Sequence, residues 1–343
     1  MTDPHVDVVI MTALAEEHTA VVRALGSCTV HHWQGRKVHV GKVGTLDVLA
    51  FPMGGMGNVG SAQAATLAIS VWNPAYILLT GIAGGIRESG DDLRLGDVLV
   101  PDRIIGYEQG KIRPEKLERR YEVVQPNWEL LQTARGLEPS EWALNIVTAR
   151  PDGQGGRVIP RAFFEPVFSG EKVLADHETV TGLLKHWRKA IGVEMEGLGA
   201  AVASYRGGPG FLMAKAVSDF ADPAKNDDWH AYAAESAARF SIAVLRNAPI
   251  QSSQQRPQAT PMSAPRHFPG SVKLEFCRRL DGSWEDLADF FDVPLHERSR
   301  FRYGNEPRDL WGWLEVREKL SVVPEGLKTI GREDLAELML ASA

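Results

Sequence analysis

Ala75-Tyr76-Ile77-Leu78-Leu79-Thr80-Gly81-Ile82-Ala83-Gly84-Gly85 reads as a buried apolar strand, Ala75 to Thr80, that ends in small residues. A strand with no polar alternation has both faces covered. Val6 to Met11, Leu46 to Pro52, Asp97 to Pro101 and Phe211 to Val217 read as further strands. Helical patterns separate them, at Glu16 to Leu25, Ser61 to Trp72, Val193 to Tyr205 and Trp229 to Arg246. Buried strands alternating with helices predict an α/β domain whose largely parallel sheet is covered on both faces.

The chain has 343 residues, 44% hydrophobic and 24% charged, which suits two soluble globular domains. Its net charge of −6 argues against nucleic acid as the main partner. The two cysteines, Cys28 and Cys277, form neither a metal motif nor a disulfide framework, so a reducing cytoplasm is expected. Residues 1–7 do not read as a secretory signal, and no apolar run reaches the roughly 20 residues that span a bilayer. Residues 248–266, rich in Pro, Gln and Ser, read as a linker between a domain at 1–247 and one at 267–343. In the second domain, Ser283 to Phe291, Pro307 to Leu320 and a short segment ending at Leu340 show helical spacing. Ser283 is the expected cap of the first of these. Leu287, Phe290, Phe291, Leu310, Trp311, Trp313 and Leu314 are the expected core of a small all-α bundle.

Gly55-Met56-Gly57-Asn58-Val59-Gly60 fits G-x-G-x-x-G between a strand and a helix. It reads as a dinucleotide site, a structural turn or another ligand loop. No acidic residue ends a second strand about twenty residues on, which counts against the dinucleotide. The small residues at 81–85 predict close approach to a ligand at the carboxyl end of a strand.

Three sets of carboxylates carry the chemistry. Glu16 and Glu17 open a helix, either as favourable charge at its N-terminus or with one of them binding and deprotonating a water. Glu194 and Glu196 sit two apart, so that on a helix only one, with Met195, shares a pocket; such a carboxylate accepts from two neighbouring hydroxyls. Asp219 follows an apolar strand, as a turn cap or as a general acid.

At these residues the chain resembles the nucleoside phosphorylase/nucleosidase superfamily, on the side of the methylthioadenosine/S-adenosylhomocysteine nucleosidases, over residues 5–247. The resemblance rests on Ala13 to Glu17, Gly54 to Gly60 leading into Ala64 to Leu67, Thr80 to Gly85 with Leu95 to Val98, Ser169-Gly170, Val193 to Glu196 and Val217 to Asp222. It implies a three-layer αβα domain with a mixed sheet, a homo-oligomer, and no metal or organic cofactor. It implies Glu17 as the activator of water, Glu196 as the ribose-diol carboxylate with Met195 beside the sugar, Asp219 as the acid at purine N7, and Ser218 as its orienting neighbour. Gly57, Ala83 and Gly84 fall where substrate is approached, and Trp229 where an aromatic lines the pocket. Two departures stand out. Gly81 to Gly85 carry no arginine or serine for phosphate, which favours hydrolysis over a phosphorolytic purine nucleoside phosphorylase; an inactive nucleotide-binding module is the rival of another class. Val173 stands where nucleosidases place a base-stacking aromatic. Basic residues at Lys111, Arg113, Lys116, Arg119, Arg120, Arg150, Arg157 and Arg161 read first as a solvated loop, balanced by nearby glutamates; the sharper reading is that some of these arginines hold the 5′-phosphates of a nucleotide. Some members of this superfamily in bacterial defence systems are thought to cleave adenine from nucleotides such as ATP.

From about His267 the chain resembles an effector-associated, death-like module of bacterial conflict systems. Leu287 to Phe291, Leu310 to Leu314 and Ile330 to Leu335 carry that resemblance. It implies an adaptor that pairs with a like domain on a protein partner. Neither nucleic acid nor membrane is an expected partner.

Overall fold

The protein was analysed as a computed structural model. It describes residues 6–87, 92–113, 116–154, 158–172, 174, 177–220, 227–250, 268–317 and 319–341, excepting the side chains of 112, 113, 116, 117, 177, 295, 296 and 316. Contacts divide the chain into two units, Met1–Arg256 and Pro257–Ala343.

The first unit runs β1 (Val8–Thr12), α1 (Ala15–Leu25), β2 (Cys28–Trp33), β3 (Arg36–Val43), β4 (Leu46–Pro52), α2 (Asn58–Trp72) and β5 (Tyr76–Gly85). The short strands β6 (Val98–Leu99), β7 (Ile104–Gly106), β8 (Gly110–Arg113), β9 (Lys116–Arg119) and β10 (Glu122–Val124) follow, with α3 (Trp128–Gly136) and α4 (Pro139–Trp142). It closes with β11 (Ala162–Phe163), β12 (Val167–Ser169), α5 (His177–Leu184), β13 (Gly192–Glu194), α6 (Gly197–Gly207), β14 (Gly210–Phe220) and α7 (His230–Asn247).

Among the described residues one large sheet runs β10-β7-β12-β13-β5-β1-β4-β3-β2, with β14 beside β5 and joined through β6 to β11. β1 is parallel to β4 and β5, and β5 is parallel to β14, whereas β13 meets β5 antiparallel and β2, β3 and β4 form an antiparallel meander. The sheet is therefore mixed. The expectation of a largely parallel sheet holds at its centre and fails at its margins.

The two faces of β1 explain its lack of polar alternation. Val8 and Ile10 pack with α1 and α7, while Val9 and Met11 pack with α2 and α6. Both faces are buried, giving the three-layer order. α2 and α6 pack closely: a Cβ at Gly199 would sit 2.0 Å from the Asn58 carbonyl oxygen.

Two of the expected elements need correction. β5 does not end at Thr80 but stays paired with β14 through Gly85. Val193 and Glu194 are strand rather than helix, and α6 begins only at Gly197. The reason is register: Val193 pairs antiparallel with Gly84, and Glu194 pairs with Ser169.

The second unit contains α8 (Gly270–Leu280), α9 (Trp284–Phe290), α10 (Leu295–Arg298), α11 (Glu306–Val316), α12 (Val323–Thr329) and α13 (Glu333–Leu340). Leu287, Phe291, Leu310, Trp311 and Leu314 are buried in its core, and Phe290 and Trp313 pack against it half-buried. α8 and α12 are absent from the sequence reading, although Val272, Phe276 and Leu280 recur every fourth residue on the inner face of α8. Ser283 makes no side-chain cap to α9; its hydroxyl takes a hydrogen bond from Arg332 Nη1 instead.

Candidate active site

The carboxyl ends of β1, β5 and β14 and the start of α6 surround a cavity of about 670 Å³, open mouth included. Glu17, Ala83, Gly84, Met195, Glu196, Ser218 and Asp219 all line it.

Glu17 reaches the cavity from the first turn of α1. Its Oε2 accepts from the backbone N–H groups of Ala13 (2.7 Å) and Leu14 (2.9 Å), and its Oε1 from Ile82 N–H (2.8 Å). Gly81 makes this possible: a Cβ there would lie 2.2 Å from Glu17 Oε1. The small residues of β5 thus divide their work. Gly81 makes room for a carboxylate of the chain itself, Gly85 for Val217 and Phe220, and Ala83 and Gly84 face the cavity. Burial pushes the Glu17 carboxyl above the ordinary glutamate range, although the Lys215 ammonium and the N–H donors oppose the shift.

Glu196 is held on every side. Its N–H donates to Glu194 Oε2 (2.9 Å), and its carbonyl accepts from Ser61 Oγ (2.6 Å). Its Oε1 accepts from Gly57 N–H (3.0 Å) and its Oε2 from Lys215 Nζ (2.5 Å). Burial works to raise its pKa, but Lys215 and the backbone N–H groups of Gly57 and Met195 prevail and hold it below the ordinary value. Glu194, which the sequence reading set aside, is buried at the same site. It accepts from the N–H of Gly197 at the start of α6 and stands 3.2 Å from Lys215 Nζ.

The glycine loop at the start of α2 turns its backbone N–H groups to side chains of the chain itself. Gly57 is outside the cavity lining and gives its N–H to Glu196, while Asn58 N–H goes to Glu171 Oε2 (3.2 Å). The anions at this helix N-terminus are the chain's own carboxylates.

Asp219 owes its direction to a bulge. β14 and β5 shift register between Val217 and Asp219, leaving Ser218 as the extra residue. Phe220 consequently joins the face of Val217, and Asp219 and Ser218 both reach the cavity. Ser218 Oγ donates to Asp219 Oδ2 at 2.9 Å.

Two expected ligand contacts are displaced. Trp229 does not line the cavity; it packs against Tyr232, and Arg150 stacks over both rings. His230, the next residue, takes the lining position, with Nδ1 2.7 Å from Glu16 Oε1. The arginines fare similarly. Arg150 is turned to Asp152, Arg161 donates to the Asp92 carbonyl, and Lys111, Arg119 and Arg120 are also outside the lining. The side chains of Arg113 and Lys116 and the residues Arg157 and Val173 lie outside the described residues. Among the described residues, the basic side chains that line the cavity are Lys172, paired with Glu108 at 2.7 Å, Lys215 and His230. The sequence reading missed Lys215, although a lysine inside the apolar run 211–217 was the signal.

Residues 7–246 match the family model described as the phosphorylase superfamily. The chain belongs to that superfamily. Residues 270–342 match the model described as bacterial Death-like domain 3. A 5′-methylthioadenosine/S-adenosylhomocysteine nucleosidase of Desulfotalea psychrophila is 26% identical over 245 residues, covering 69% of this chain and 94% of the relative. The ATP nucleosidase Cap17 of Escherichia coli is 28% identical over 262 residues, covering 70% of this chain and 51% of that protein. Among solved structures, the Neisseria meningitidis nucleosidase in complex with methylthio-immucillin-A superposes with a TM-score of 0.55 at 18% identity, covering 70% of this chain and 98% of that one. The Colwellia psychrerythraea nucleosidase in complex with adenine gives 0.57 at 19%, covering 74% and 100%. These likenesses show the fold.

Proposed function

We propose that the first unit hydrolyses the N-glycosidic bond of an adenine nucleoside or nucleotide. The observation that carries this reading is the convergence of Glu17, Glu196 and Asp219, each differently held, on one cavity.

Glu17 takes a proton from a water that attacks C1′. The C1′–N9 bond breaks, its electron pair passes to the purine, and Asp219 in its acid form delivers a proton to N7. Glu196, ionised, accepts from the 2′ and 3′ hydroxyls and steadies the positive charge that builds on the sugar. The products are free purine and a ribose with a hydroxyl at C1′, and the proton on Glu17 returns to Asp219 through solvent.

The carboxylate standing over Gly81 supports water over phosphate as nucleophile. A phosphate anion there would meet Glu17, and the neighbouring Lys215 is already shared between Glu194 and Glu196. The similarity to Cap17 favours a nucleotide, as do Lys172 and His230 in the lining. The death-like domain supports recruitment to a partner bearing a like domain, as an effector in an antiviral defence system.

Incubating the purified chain with ATP, AMP, adenosine and methylthioadenosine, and following free adenine, tests the reading. Release from nucleosides alone would sink the nucleotide version. Binding of every compound without product would sink the enzymatic reading.

A further inference from the structure

Lys215 lines the cavity but takes no part in the bond-breaking steps above. It is buried in the middle of β14, directly opposite Gly81 of β5. Its Nζ lies 2.5 Å from Glu196 Oε2 and 3.2 Å from Glu194 Oε2. Glu196 is therefore gripped at both oxygens, by Gly57 N–H and by the ammonium, which fixes the lone pairs left for a ligand. An ionised carboxylate only accepts, and a vicinal diol offers two O–H donors to it. A protonated Glu196 would present a donor of its own and lose that match.

We propose that Lys215 is a positioning residue that sets the site's preference for a ribose bearing both hydroxyls, acting through Glu196. The inference rests on the reading of Glu196 as the diol acceptor. Charge balance argues for the role. Glu194 alone would neutralise the lysine, and its other bonds, to the N–H groups of Glu196 and Gly197, already satisfy it. The shorter contact nevertheless goes to Glu196, the carboxylate placed to touch substrate. With Glu17 on α1 also near, three buried carboxylates share one cation, an arrangement that stability by itself does not require. Among the described residues, Lys172, Asp219 and His230 complete the charged or titratable groups of the cavity lining.

The test compares adenosine with 2′-deoxyadenosine, and ATP with 2′-deoxy-ATP, in the full chain and in Lys215→Met, Lys215→Arg and Glu196→Gln. The wild type is expected to prefer the ribo compound. Lys215→Met should lose roughly 10- to 100-fold of that preference at neutral pH, mainly in KM, as expected for a lost hydrogen bond to a charged group. The preference should return as rising pH ionises Glu196. Lys215→Arg should keep it. One arm needs no variant: in the wild type the preference should persist below the ordinary glutamate pKa of about 4.3. Loss of preference in Glu196→Gln but not in Lys215→Met would overturn the proposal, as would its decay through that range in the wild type. An unchanged preference in Glu196→Gln would instead overturn the diol reading beneath it.

Discussion

Gly81→Ala is a one-methyl perturbation whose effect can be worked from the structure. The added Cβ would lie 2.2 Å from Glu17 Oε1, where ordinary contact begins near 3.4 Å. The carboxylate must therefore retreat by about 1.2 Å, because β5 is held at this level by its pairing with β14, Gly81 opposite Lys215. That retreat breaks the 2.8 Å bond from Ile82 N–H and moves the base away from its water. Misplacing a reacting group by about 1 Å costs on the order of 10²-fold in rate. The strand conformation suits alanine, so the fold should survive. The assay is adenine release under single-turnover conditions, with adenine binding measured in parallel. A 100-fold loss of rate with binding kept within a few fold is the expected result. A Gly81→Ala enzyme within threefold of the wild-type rate would refute the role given to Glu17.

Other perturbations have equally definite outcomes. Asp219→Asn removes the proton donor and should slow base release by roughly 10²- to 10⁴-fold, with an unchanged circular dichroism spectrum. Because the ionised form of Glu17 is the active one and burial raises its pKa, kcat/KM should rise with pH through a midpoint above the ordinary glutamate value; a midpoint at or below that value would count against this assignment. Trp311 is buried with its ring edge-on to Phe276 at 4.9 Å, so Trp311→Ala should destabilise the helical unit by about 3–5 kcal/mol. Calorimetry should show that loss in one transition while adenine release is unaffected.

The sequence was legible where chemistry and burial point the same way. Glu17 and Glu196 are acids at helix starts and Asp219 is one at the end of an apolar strand, and all three reach the cavity. Legibility failed where long-range pairing overrides local pattern. Val193-Glu194 carries no strand signal of its own and is strand because Gly84 and Ser169 lie beside it. That shift from helix to strand is also what brings Glu194 to Lys215. The turn of Asp219 into the cavity depends on a bulge at Ser218, which no residue type announces. Trp229 leaves the lining to its neighbour His230, its indole stacked under Arg150 from a distant segment.

Water as the nucleophile is the central claim, and the fate of its oxygen tests it directly. The reaction should be run in heavy-oxygen water without phosphate, and the sugar product examined by mass spectrometry at early times. The account predicts free adenine and a sugar carrying one heavy oxygen at C1′. A requirement for phosphate, with ribose 1-phosphate as product, would contradict it.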